Sequence, residues 1–382
     1  MKRGCCLQKN EILLFLTSLI SPFENKYVEK YFFKTDWEKV IEIANKEYLI
    51  PLVYTNLKKK KLYDKLDDKQ LKEYLLEIYN LNKQRNQNII EQMQEIANIL
   101  AQVNITPIFF KGSAALSEGV FEYLGERVMA DIDLYIEPSK IDRAIKILKM
   151  NGYNEVEHDY YLKEDWHHYY PLVKDGFYAS IEIHRYFLND KSSKYFFQKI
   201  SFLESATINN ANVLDETSEF YLSFLHSEVS HAHHQYKVFA LRYAQHFNQL
   251  LYTNKEKIEL EKIYEQVSNY SFIKNYWNEY LLLQKKYFYI PLNIIETKNS
   301  RKYIKNVEYF LNLDNNFLRT FRAFIIYFFN VFSVSGLQVQ YGFQNKNLYI
   351  FYFFKHIKNT LFKYLDKDKR EILKNKLKNK YL

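Results

Sequence analysis

"KGSAALSEGVFEYLGERVMADIDLYIE" (residues 111–137) joins a glycine-serine turn to two aspartates one residue apart, and its reading decides the fold. Its last part alternates strictly, so Ile132, Leu134 and Ile136 fall on one face of a strand and Asp131, Asp133 and Tyr135 on the other. Ahead of the turn, "TPIFF" (106–110) is a short apolar run behind a proline, which predicts a strand. Behind it, "PSKIDRAIKILKMNGY" predicts a helix capped by Ser139, with Ile141, Ala144, Ile145 and Leu148 as its buried stripe and Gly152 closing its C-terminus. Strands are expected again at "YNEVE" (153–157), "HHYYPLVK" (167–174) and "ASIEIHRYF" (179–187), where Ile181 and Ile183 alternate with Glu182 and His184.

Helix patterns stand on both sides of this segment. "DWEKVIEIANKEYLIPLVYTNLKKK" sets Trp37, Val40, Ile41 and Ala44 on one stripe before Pro51, and residues 71–103 continue almost without a breaker. "SEFYLSFLHSEVSHAHHQYKVFALRYAQHFNQLLY" is the clearest helical stretch beyond residue 215. The expected architecture is α+β: a helical region over 1–104, a mixed-sheet core over 105–190, and a helical region with a basic tail over 191–382.

Composition narrows the class. The chain has 382 residues, and 35 Tyr and 30 Phe against 8 Gly and 6 Pro argue for long ordered elements. Its only cysteines are the adjacent Cys5 and Cys6, which cannot form a disulfide framework and suggest a reducing, cytoplasmic setting. The net charge is +9, yet residues 355–382 hold ten Lys or Arg against three Asp or Glu. That surplus of seven leaves about +2 for the rest, so a body built to track extended nucleic acid is disfavoured. "EILLFLTSLI" (11–20) reads as a first buried helix rather than a signal sequence. "AFIIYFFNVFSVSGL" (323–337) is interrupted by Asn330, Ser333, Ser335 and Gly336, so it reads as a buried helix. With the basic tail, 323–382 also suits peripheral contact with the inner membrane surface. A P-loop, a GxGxxG, a GxSxG and an HExxH are all missing from the sequence.

Aspartates at i and i+2 on a strand share a face roughly 7 Å apart, near enough to grip hard cations. Glu182 is a third carboxylate on a later strand that can pair beside the first. Three such groups repel unless cations neutralise them, a need met in two-metal phosphoryl-transfer sites. Gly112 allows close backbone approach to a phosphate, Ser113 offers a hydroxyl and an amide, and Lys111 and Arg127 add charge. Each sign is weak alone, since a DID often marks a solvent-facing edge. The order strand, Gly-Ser turn, helix, DxD strand, helix, acid-bearing strand is far more restrictive.

That order resembles the nucleotidyltransferase superfamily that includes DNA polymerase β. More closely, "FFKGSAAL", "ERVMADIDLYIE", the "NGY" after the helix and "IEIHR" resemble a bacterial family of uncharacterised nucleotidyltransferases over about residues 10–250. The resemblance implies Asp131, Asp133 and Glu182 as catalytic ligands of Mg²⁺ or Mn²⁺. It sets Lys111, Gly112, Ser113 and Arg127 around a nucleoside triphosphate and His184 beside the third acid. The acceptor stays open between a small molecule, a protein and RNA, and a fold-sharing nucleotide-binding or interaction protein without turnover is the alternative. His246 in "LRYAQHF" stands near where the family places an acid. His226, His231, His233 and His234 are expected on one helix, as surface or packing histidines before metal ligands. A phosphohydrolase of the His-Asp type is disfavoured, because His158-Asp159 is the sole such pair.

Overall fold

Seven short strands form one mixed sheet in the computed structural model, which describes residues 9–156, 168–188, 196–311, 332–341 and 345–365. In chain order they are β1 (Ile108–Phe109), β2 (Asp131–Tyr135), β3 (Asn154–Glu155), β4 (Leu172–Val173), β5 (Ser180–His184), β6 (Phe202–Glu204) and β7 (Asn212–Leu214). Across the sheet the order is β3-β4-β5-β2-β1-β7-β6. The pairs β2–β5 and β1–β7 are parallel and the others antiparallel. The α+β class and the helical flanks are those expected from the pattern.

Helices α1 (Lys9–Ile20), α2 (Tyr27–Tyr31), α3 (Trp37–Lys46), α4 (Ile50–Lys59) and α5 (Lys69–Ala101) precede the sheet. Asp36 starts α3 by accepting the Lys39 N–H, and Asp68 does the same for Leu71 at the start of α5. α6 (Gly112–Ser117) and α7 (Ile141–Met150) lie between strands. α7 buries Ile141, Ala144, Ile145 and Leu148 as predicted. Ser139 does not cap it: the Ser139 hydroxyl donates to Glu137, and a 3₁₀ turn over Pro138–Lys140 leads in instead. Gly152 closes the helix at φ +90, donating its N–H to the Lys149 carbonyl.

The apolar face of the sheet is covered first. Ile132, Leu134, Ile181 and Ile183 are fully buried and cluster with Ile89, Met93 and Ile96 of α5 and Ala144 and Leu148 of α7. Strict alternation therefore turns Asp131, Asp133, Glu182 and His184 to the opposite face. The second, larger core joins both helical flanks, from Phe15 and Leu16 of α1 to Trp277 and Tyr280. Its C-terminal part comprises α8 (Glu216–Leu225), α9 (His233–Tyr236), α10 (Leu241–Thr253), α11 (Leu260–Ser268), α12 (Ser271–Phe288) and α13 (Lys298–Leu311). Phe220 stacks on Phe247 at 4.2 Å, and Phe224 meets Trp277 edge-on at 4.9 Å.

Two features depart from the pattern reading. β6 and β7 extend the sheet beyond residue 190, into the stretch expected to be helical. β6 is exposed throughout and carries no alternation, so nothing in its composition marks it. The long helix read across 218–252 is broken into α8, a π turn over His226–Ser230, α9 and α10. Ala232 and Lys237 take φ of 55° and 58°, and these left-handed residues bound α9. The expected helix over 323–337 lies outside the described residues up to 331, and Val334–Tyr341 is helical. The basic tail is helical over Tyr349–Leu365, and its remainder lies outside the described residues. Among the described residues no helix is long and apolar enough to cross a membrane.

Helix α5 also holds the loop ahead of β2. The Asn82 amide donates to the Gly125 and Arg127 carbonyls at 2.8 and 2.9 Å, and the Asn86 amide to those of Leu124 and Arg127 at 2.6 and 2.7 Å. Gly125 must be glycine for this approach, since a Cβ there would sit 2.6 Å from the Tyr79 ring and 2.9 Å from its carbonyl oxygen. Gly125→Ala is therefore expected to destabilise by about 1–3 kcal/mol through overpacking, and Asn86→Ala by a similar ~1–3 kcal/mol, because the Leu124 carbonyl loses its donor and the Arg127 carbonyl keeps Asn82 alone. A urea-unfolding midpoint unchanged in both variants would contradict this clamp.

Candidate active site

Each acidic side chain reaches the cleft by strand register. In the parallel β2–β5 pair Asp131 lies opposite Ser180, Asp133 opposite Glu182, and Tyr135 opposite His184. Neighbouring strands run about 4.8 Å apart, so Asp133 and Glu182 are side by side on the polar face. Oxygens of Asp133 and Glu182 and a ring nitrogen of His184 lie within 4.8 Å of one another, a set that could hold a metal ion. Asp131 stands outside that trio, although its carboxyl is close enough to feel both acids.

The turn meets the strands directly. Lys111 follows β1 with φ 57 and ψ −128, a conformation that disfavours side chains, and it precedes α6. From there its ammonium donates to Asp133 Oδ1 at 2.7 Å. The Ser113 hydroxyl accepts the Asp133 backbone N–H at 2.9 Å, tying turn to strand. Gly112 packs on Met129, which a Cβ would meet at 3.4 Å. His184 Nε2 lies 2.7 Å from Asp133 Oδ1 and 3.6 Å from Glu182 Oε2, with its ring edge-on to Phe110 at 5.0 Å. Thus the structure brings Lys111, Ser113, Asp133, Glu182 and His184 together. Arg127, four residues before Asp131, is held through its carbonyl by Asn82 and Asn86.

The charges answer one another. Burial would raise the Asp133 carboxyl, but Lys111 and His184 hold it well below the usual carboxylate range. Asp131 is pushed up to about 6 by burial and by the nearby Asp133 and Glu182 charges. Burial opposes ionisation of Glu182 too, yet His184 and His168 bring it below its ordinary value. Arg127 is lowered to about 10 by burial and by Arg242, and stays charged.

Several neighbours carry no signal in the local pattern. His168 forms a bridge to His184 and places Nε2 4.0 Å from Glu182. Its doubled histidine in a strand candidate was the one available sign. Glu219 of α8 is buried, with neither carboxyl oxygen in a well-formed hydrogen bond, and faces the Lys111 backbone. Burial lifts it to about 8. His226 feels both Lys111 and His184, and its ring lies 4.5 Å from that of His231. The four clustered histidines divide: His226, His231 and His233 gather at Tyr243, whereas His234 turns away to Glu279 at 2.6 Å. His246 is buried against Phe121.

The structure thus sets acids from two strands of an α+β sheet beside a Gly-Ser turn. The chain belongs to the family described as uncharacterised nucleotidyltransferase, whose model matches residues 34–287, from before α3 to the end of α12. No curated protein and no solved structure matches the chain.

A divalent cation suits this donor set of two carboxylates and an imidazole. Below pH about 6 Asp131 gains a proton and the cleft loses negative charge, so Mn²⁺ affinity is expected to weaken as pH falls through that value. Calorimetric titration of Mn²⁺ between pH 5 and pH 8 checks the sign. A flat profile, or full affinity in Asp133→Asn, would remove the metal from this cleft.

Proposed function

We propose that the protein transfers a nucleoside monophosphate from a nucleoside triphosphate to an acceptor hydroxyl or phosphate, releasing pyrophosphate. The observation that carries this reading is the pairing of Asp133 with Glu182 in register, with Ser113 of the turn bonded to the Asp133 N–H. Family membership supports nucleotidyl transfer in general. Bound at Asp133, Glu182 and His184, with Asp131 beside them, Mg²⁺ or Mn²⁺ would neutralise the phosphates and polarise the reacting oxygens. The chain's own part is alignment and charge. Lys111 would leave Asp133 for a phosphate oxygen, Gly112 and Ser113 would offer backbone and hydroxyl contacts, and Arg127 would stay charged beside the triphosphate. His184 would hold Asp133 in place. The near-neutral body favours a compact acceptor over extended nucleic acid.

In Asp131→Asn and Asp133→Asn, metal-dependent pyrophosphate release is expected to fall on the order of 10³-fold, with the fold retained by circular dichroism. Release that survives both substitutions would sink the mechanism.

A second reading has its own support. Lys111 and His184 both sit 2.7 Å from one oxygen of Asp133, so a cation must compete for a carboxylate already engaged. In a nucleotide-binding protein without turnover that pairing would persist. Metal-dependent nucleotide binding without pyrophosphate release favours this alternative. Membrane-surface contact belongs with it: Ile350, Phe351 and Phe354 are exposed on the Tyr349–Leu365 helix beside Lys355. Pelleting with anionic vesicles, lost in a chain ending near residue 348, ahead of this helix, is the expected result, and pelleting by both or neither chain argues against it.

A further inference from the structure

A groove of about 390 Å³ opens between α3–α4 and α5, and nothing in the transfer reading uses it. Val128, Tyr178, Tyr48, Asn82 and Arg85 are among the residues that line it. Val128 is three residues before Asp131, and Tyr178 two before Ser180, the register partner of Asp131. At ~3.4 Å per residue the groove thus begins within about 10 Å of the acidic cleft. Arg127 directly precedes Val128; Asn82 of the groove lining holds its carbonyl, and its buried guanidinium is close enough to feel Asp131 and Asp133.

The two tyrosines are unusual. The Tyr178 backbone is fixed on both sides by α5: Asn88 accepts its N–H at 3.0 Å and Arg85 donates to its carbonyl at 3.4 Å, while Asn88 also holds Gly176 at 3.1 Å. Yet the residue is 64% exposed. Tyr48 occupies a left-handed backbone position, φ 57, where a bulky side chain costs on the order of 1–3 kcal/mol. The residue is 55% exposed, and the Arg242 guanidinium sits over its ring at 5.3 Å. A fixed exposed tyrosine and a strained exposed tyrosine on one groove are not what core packing requires. The rest of the lining is apolar or amide, with Ile50, Pro51 and Ile78, and holds no carboxylate. Arg85 is the one charged residue of the lining, and its guanidinium adds a positive charge beside Tyr178. Aromatic faces, flat apolar walls and amides suit a planar heterocycle, and acid-free walls suit the negative charge attached to it.

We propose that this groove receives the nucleobase of the bound nucleoside triphosphate, stacked on Tyr48 and Tyr178, with the triphosphate passing Arg127 to the acidic cleft. This rests on the transfer reading and adds to it the side on which the base lies.

The test is calorimetric titration of the full chain with Mg²⁺ and, in turn, ATP, GTP, CTP, UTP and tripolyphosphate, which lacks a base. The wild type should bind its best nucleotide at least 10-fold more tightly than tripolyphosphate. In Tyr178→Ala and in Tyr48→Asn that gap should shrink about 5- to 100-fold, the worth of a stacked base, while tripolyphosphate affinity holds. Asn tolerates the left-handed position, so the Tyr48 variant removes the ring without unfolding the corner. A gap that persists in both variants, or a wild type that binds nucleotide and tripolyphosphate alike, overturns the groove assignment and leaves the transfer reading standing. Binding of neither ligand by the wild type overturns both.

Discussion

The register of β2 against β5 is the constraint on which the rest depends. Backbone hydrogen bonds, not attraction between side chains, put Asp133 opposite Glu182. Two like charges about one strand spacing apart repel in a half-buried cleft, and the surroundings respond to that repulsion. Lys111 adopts a costly backbone conformation and aims its ammonium at Asp133, while His184 and His168 approach the two acids. A buried ionic cluster stabilises little beyond an apolar replacement of the same volume. Its presence in the middle of a sheet therefore points to chemistry more than to folding.

Helix α5 acts as the jig for this register. Its apolar side covers Ile132 and Ile183 from below, and its amide side chains reach over the strand ends. Asn82 and Asn86 hold the loop carrying Arg127, Asn88 holds the turn before Tyr178, and the Gln92 amide donates to the Ala179 carbonyl at 3.0 Å. One rigid element thus sets the approach to both β2 and β5. Buried loop carbonyls need such donors, because water cannot reach them. The helix must be long to serve both strands, and at 33 residues it is.

How much of this was legible in the sequence follows from range of interaction. Period-2 alternation marked β2 and β5, and the 3.6-residue stripe marked α7, because each reports a local face. Their pairing set Asp133 beside Glu182; His184, expected only as a neighbour of the third acid, joins that group, whereas Asp131, expected as a ligand, stands outside it. Ser139 was misread because Glu137 competes for its hydroxyl two residues away, before the helix begins. β6 gave no sign, being an exposed three-residue edge whose pairing with β7 is set by the sheet. The break after His226 was hidden because Ala232 and Lys237 are ordinary residues held in left-handed conformations by tertiary packing. Glu219 and His226 lie roughly a hundred residues from the turn they face, so only the folded chain reveals them.

Those two residues decide the character of the wall opposite the sheet. Burial lifts the Glu219 carboxyl to about 8, so at neutral pH it carries a proton. Burial also holds His226 well below its ordinary value, so its imidazole is uncharged. The positive charges that reach Glu219 there are Lys111 and Arg127. One side of the cleft is then acidic and the other neutral to basic, with Lys111 between them. A polyanion can lie along the second side only if cations shield it from the first. Under the transfer proposed above, this asymmetry would orient a phosphate chain, its metal-facing oxygens toward Asp133 and Glu182 and its free oxygens toward Arg127.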